Sequence, residues 1–240
     1  MSKYKEYAVV CSQEQIAADI YSLWIQTEEI ARAAGPGQFL SVYTGDGTKL
    51  LPRPISICEI DREQGRLRLV YRVTGPGTGT EQFSRLKQGD QVEVMGPLGN
   101  GFPKDLTGTP FLVGGGIGIP PMLELAKELP GDKKIILGFR DEQYLTEELN
   151  AYGEVYVATE DGSAGTKGKC TGRHPGERTS GRCDLRLRAH AYAAGVKGVF
   201  YSGKYSLLSF PGRADGLRDR SLPWLRLPVN GGGRPQQCAQ

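Results

Sequence analysis

Four short segments carry residue types suited to an anionic, partly aromatic ligand. GGGIGIPPM (114–122) sets Gly114, Gly115, Gly116 and Gly118 between an apolar run and a helical pattern. Glycines there let the main chain approach a phosphate, and a helix start offers free amides and a positive dipole end to a pyrophosphate. The spacing is not G-x-G-x-x-G, so the segment reads equally well as a tight strand–helix turn. RPISI (53–57) offers the Arg53 guanidinium to a phosphate, a rigid Pro54, then Ile55 and the Ser56 hydroxyl, a donor for a ring atom. In VYR (70–72), Val70, Tyr71 and Arg72 add an aromatic face and a cation; GPGT (75–78) follows with turn amides at Gly77 and the Thr78 hydroxyl. Each of these is also ordinary strand-and-turn composition, and only their order along the chain separates the two readings.

The elements that must hold these segments change character near residue 108. Before it, short strands alternate with Gly- and Pro-rich turns. In RLRLVYRV (66–73), Leu67, Leu69, Tyr71 and Val73 alternate with Arg66, Arg68, Val70 and Arg72, the period of a half-buried antiparallel strand. QFLSVY (38–43) and DQVEVM (90–95) behave alike, and strands at this spacing predict a small barrel. After it, PFLVGG begins a brief strand, and Met122, Leu125, Ala126 and Leu129 mark one face of a helix whose first turn suits Pro120 and Pro121. KKIILGFR (133–140), DEQYLTEEL (141–149) and EVYVAT (154–159) read as strand, helix and strand, which predicts a parallel α/β sheet.

The net charge of +3 averages two unlike pieces. Residues 1–168 hold 17 Lys and Arg against 23 Asp and Glu, a balance of −6; residues 169–240 hold 13 against 4, a balance of +9. The second piece has 10 Arg and 11 Gly, no Ile or Met, and no sustained period, so it reads as an aberrant, disordered tail. Its charge lacks the structured patch or aromatic platform of a nucleic-acid site, and His174 and His190 lie in it without partners of metal-site spacing. The five cysteines form no C-x-x-C pair, so they read as free thiols and no metal site is assigned. No apolar run is long enough to cross a bilayer, and MSKYKEYAVV lacks the apolar core of a secretory signal, so a cytoplasmic enzyme without membrane contact is expected.

Taken in order, RPISI, LVYRVTGPGT, GPLGNGF (96–102), VGGGIGIPPM, GFRDE (138–142) and TEDGSAGTKG (159–168) resemble the electron-transfer subunit of NAD-dependent bacterial dihydroorotate dehydrogenase, in the ferredoxin-reductase superfamily. The resemblance covers residues 1–168. It implies a six-stranded antiparallel FAD-binding barrel over 1–102 and an incomplete NAD-binding α/β domain over 108–168. By resemblance, Arg53–Ser56, Val70–Arg72 and Gly77–Thr78 hold FAD, and Gly114, Gly115, Gly116 and Gly118 face NAD(H). The family passes electrons from a dihydroorotate-oxidising flavoprotein partner, within a heterotetramer, through a [2Fe-2S] cluster to FAD and then NAD⁺. No side chain of this subunit is then expected as an acid–base catalyst, because the flavin carries the redox chemistry. The alternatives are an FAD subunit of another ferredoxin-reductase-type oxidoreductase, or a non-enzymatic flavin-binding remnant.

Two family elements are missing after Gly168: a C-G-P-x-x-M segment beside the nicotinamide, and the C-x4-C-x2-C run with a fourth Cys that binds the cluster. A shift of the coding frame near Gly168–Lys169 accounts for both. With one base of each codon free, the shifted residues permitted from Lys169 onward include a run ending in C-G-P-T-P-M, and those over Arg213–Arg226 include the missing cysteine spacing.

Overall fold

The computed structural model describes residues 2–45, 51–104, 109–140 and 142–167, with the backbone of 200–202 and 205–210. The period-two segments form a closed barrel of β1 (Tyr4–Ala17), β2 (Ile20–Gln26), β3 (Phe39–Val42), β4 (Arg53–Asp61), β5 (Arg66–Arg72) and β6 (Gln91–Leu98), in the order β1-β2-β5-β4-β3-β6. All its strand pairs are antiparallel. Alternate residues point inward, so Leu23, Ile25, Leu40, Ile57, Leu67 and Leu69 fill the interior. Two short helices close it: α1 (Glu28–Ala33) contributes Ile30, and α2 (Gly79–Phe83) contributes Phe83.

Beyond the barrel, β7 (Thr109–Gly115), α3 (Pro121–Glu128), β8 (Lys134–Phe139), α4 (Thr146–Asn150), β9 (Glu154–Thr159) and β10 (Thr166–Lys167) build the expected parallel sheet. The helix expected over 141–149 is shorter and begins only at Thr146. A correction to the sequence reading concerns nine residues of the tail. β11 (Phe200–Ser202) and β12 (Tyr205–Phe210) pair with each other, and β12 runs parallel to β7, from Tyr205 opposite Thr109 to Phe210 opposite Gly114. The sheet order is therefore β10-β9-β8-β7-β12-β11. Without β12 this edge of β7 would present unpaired amides and carbonyls, and YSLLSF pairs along it. The rest of 169–240, with the frame-shift reading and three of the cysteines, lies outside the described residues.

Barrel and sheet share one core. Ile20, Cys58 and Val70 of the barrel belong to the same buried cluster as Leu112, Ile119, Met122 and Leu125. This corrects the half-buried reading of β5: Val70 and Arg68 are as covered as Leu67, because the second domain lies over the barrel's outer face. Arg68, 7% exposed, donates to Ser22 Oγ at 2.9 Å and bidentately to Glu148 on α4 at 2.5 and 3.2 Å, with Glu59 at 3.6 Å. Breaking a buried pair costs roughly 3–5 kcal/mol. Water reaches Glu148, so Arg68→Met is expected to lower stability by about 2 kcal/mol, read as a drop in the urea midpoint.

Candidate functional site

The glycine turn lies against β5, and the barrel's candidate residues divide between partly exposed positions and the buried core. In β4, Ile55 and Ile57 point inward and are buried, so Pro54 and Ser56 stand on the outer face, Pro54 exposed and Ser56 partly so. Arg53 lies at the strand's start beside α2. A Cβ built on Gly79 would come within 2.9 Å of Arg53 Nε and of Thr44 Cγ2, so the bare glycine lets the Arg53 side chain pack closely against this turn. Gly77, at φ +74°, bends the chain into it. Thr78 caps α2: its Oγ1 accepts from the Glu81 amide at 3.3 Å and donates to the Gly75 carbonyl at 2.8 Å. The Gly77 amide donates to Glu81 Oε2 at 2.5 Å.

Arg72 ends β5, opposite Ile20, and its Nε is buried without a hydrogen-bond partner. A buried donor left unmade costs about 1–3 kcal/mol, so an anionic group beside Arg72 would relieve it. On this ground the residues fit the diphosphate of a dinucleotide. Tyr71 does not extend the rim. Only 2% exposed, it stacks on Tyr21 at 5.9 Å between ring centroids, meets Phe83 edge-on at 6.0 Å, and donates to Gln13 Oε1 at 2.9 Å. Burial pushes its hydroxyl well above the ordinary tyrosine range, so it stays protonated. Tyr71→Phe is expected to cost about 1 kcal/mol of stability, by thermal unfolding, and to leave flavin content unchanged. A loss of flavin would show that the hydroxyl serves a ligand.

Gly114 and Gly115 close β7, and Gly116–Gly118 form one 3₁₀ turn leading into α3. Gly116 sits at φ +49° with open space where a Cβ would lie, whereas a Cβ on Gly114 would meet Ile119 Cα at 3.0 Å and the Gly118 carbonyl oxygen at 3.2 Å. The turn touches β5. Since β8 flanks β7 on one side and β12 on the other, strand order reverses at β7, and Gly114 stands at the carboxyl end of that crevice, where open α/β sheets bind ligands. Sequence reasoning missed Gly79, whose signal was the third glycine of GPGTG, and Glu124, one of two acids of α3, which no sequence pattern marks as buried. Among the described residues no group of three or more His, Cys, Asp or Glu gathers to hold a metal, and no helix is long and apolar enough to cross a membrane.

A family model described as an oxidoreductase FAD-binding domain matches residues 7–102. The chain is 41% identical over 209 residues to the dihydroorotate dehydrogenase B (NAD(+)) electron transfer subunit of Enterococcus faecalis, covering 83% of this chain and 76% of that protein. The subunit of the same name from Fusobacterium nucleatum is 46% identical over 166 residues, covering 65% and 63%. Among solved structures, an NADH-dependent reduced ferredoxin-NADP oxidoreductase matches with a TM-score of 0.62 and 30% identity, over 68% of this chain and 60% of that one. A ferredoxin NADP+ reductase from Neisseria gonorrhoeae, with bound FAD and NADP, matches at a TM-score of 0.57 and 16% identity, over 68% and 72%, and shares the fold.

Proposed function

The chain belongs to the family of dihydroorotate dehydrogenase B (NAD(+)) electron transfer subunits, and we propose that it passes electrons from dihydroorotate oxidation through FAD to NAD⁺ in pyrimidine biosynthesis. The observation that carries the reading is the contact of the Gly116–Gly118 turn with β5, the strand that Arg72 ends and that pairs with β4, the strand Arg53 begins. FAD, when bound, supplies the redox chemistry by accepting an electron pair and handing it on. The chain's own residues bind and orient. Arg53 and Arg72 meet diphosphate charge, the Gly77–Thr78 turn borders it, and Ser56 offers a hydroxyl to the ring system. Ile55 and Tyr71 stiffen the wall from inside the barrel, and Val70 holds it against the second domain. Gly114, Gly115, Gly116 and Gly118 keep side chains away from an incoming nicotinamide dinucleotide.

The dihydroorotate-oxidising step belongs to a separate flavoprotein subunit, in a cytoplasmic heterotetramer. A [2Fe-2S] cluster does not fit the chain as written: Cys11 and Cys58 are the described cysteines, Cys58 is fully buried, and no sequence spacing matches the cluster motif. The missing C-G-P-x-x-M segment and cysteine run favour a second reading, a flavin-binding remnant that relays nothing, unless the frame shift near Gly168–Lys169 restores both. Two experiments test this. Purified full-length chain should be yellow, and NADH under anaerobic conditions should bleach its flavin; a colourless protein would end the flavin reading, and unbleached flavin would favour the remnant. Resequencing the codons for Gly168 and Lys169 tests the frame shift directly, and an unaltered frame would remove it.

A further inference from the structure

Glu124 is a carboxylate in an interior that has little reason to accept one. It sits on α3 with 1% exposure, and taking a carboxylate out of water costs several kcal/mol unless its partners compensate. Its main partner is main chain: Glu124 Oε2 accepts from the Ile60 amide at 2.8 Å. That amide needs a partner, because β3 pairs with β4 only from Val42–Arg53 to Phe39–Ser56, and the Ile57 amide goes to the Gln38 carbonyl. Past this point no described strand borders this edge of β4, and the α3 carboxylate accepts from the Ile60 amide instead. Arg62 stands 3.6 Å from Glu124 Oε1 and 2.8 Å from Glu128, while Lys127 reaches Glu59 at 3.3 Å. These outer pairs are partly exposed and contribute little. Burial pushes the Glu124 carboxyl above the usual range, against the opposing pull of the Ile60 amide.

The position of this bond gives it a consequence. Main-chain hydrogen bonds join the glycine turn to α3, the Ile119 amide donating to the Gly116 carbonyl at 3.0 Å and the Met122 amide to the Ile119 carbonyl at 2.9 Å. β4 carries Arg53–Ser56 at its other end. We propose that Glu124 is a positioning residue, whose bond to the Ile60 amide fixes the Gly114–Gly118 turn relative to the flavin-side strand and so sets the approach of the nicotinamide. The inference rests on the flavin–nicotinamide reading above, but the mechanical link it names exists without either ligand.

The test uses the FAD-loaded full-length chain, with Glu124→Ala removing the acceptor and Glu124→Gln keeping a carbonyl for Ile60. In E124A the dissociation constant for NADH, followed through the flavin absorbance, is expected to rise about tenfold while FAD content stays unchanged. Amide exchange should quicken over 116–123 and stay slow over 67–71. E124Q should return both readouts to within about twofold of the unaltered chain. Equal NADH affinity and equal exchange in all three proteins would overturn the proposal. So would an E124A protein that loses FAD and protection in 67–71 together with the turn, since Glu124 would then support the whole fold. An unaltered chain that fails to respond to NADH would defeat the functional reading instead, and the exchange comparison would still decide the role of Glu124.

Discussion

Replacing Arg53 with alanine is expected to weaken FAD binding about a hundredfold while leaving the barrel folded. Truncating one partner of a desolvated charge pair costs roughly 2–5 kcal/mol, and the partial exposure of Arg53 places it near the lower end, about 2.7 kcal/mol. The Arg53 side chain packs closely against Gly79, which places it beside the α2 turn. Arg53→Lys should recover little, because an ammonium lacks the planar fork that meets a phosphate with two parallel donors. Fluorescence quenching of FAD by apoprotein gives the dissociation constant, and a melting curve checks the fold. Unchanged affinity in R53A would remove Arg53 from the site.

Gly114→Val should act on the other ligand. Its Cβ would fall 3.0 Å from Ile119 Cα and 3.2 Å from the Gly118 carbonyl oxygen, so backbone must move, and a β-branched residue also needs room for two methyl groups. Displacing the turn takes its amides out of line with a diphosphate. Hydrogen bonds to charged groups contribute roughly 1.5–3 kcal/mol each, so NADH affinity is expected to fall on the order of a hundredfold. FAD content should be retained, because Arg53, Arg72, Gly77 and Thr78 all lie on the barrel side. If G114V binds NADH normally, the glycine serves only the close fit of turn to strand.

Much of this architecture was legible in residue patterns. Alternation along 66–73 predicted β5, and Met122, Leu125, Ala126 and Leu129 predicted the buried face of α3. What escaped followed from contacts between distant segments. Period two divides a strand into inner and outer faces but does not reveal that the outer face meets a second domain, so Val70 and Arg68 read as half-exposed. Tyr71 looked like an available aromatic surface; its partners Tyr21, Phe83 and Gln13 come from three other parts of the chain. Glu124 interrupted no pattern that sequence rules treat as meaningful, since a single acid in a helix ordinarily faces water. β12 was hidden by the Arg- and Gly-rich composition around it, and what gives it a place is the edge of β7.

The cluster that joins Ile20, Cys58 and Val70 to Leu112, Ile119 and Met122 also bears on how such a protein can be reused. The barrel is a recognisable unit in sequence, yet its outer wall is finished by someone else's side chains. Cut out alone, it would present a greasy flank to solvent and tend to clump. A fusion that borrows the barrel must therefore bring along α3 and β7, or else repaint that flank with polar residues. Modularity here belongs to the pair, and natural or designed shuffling should cut outside both.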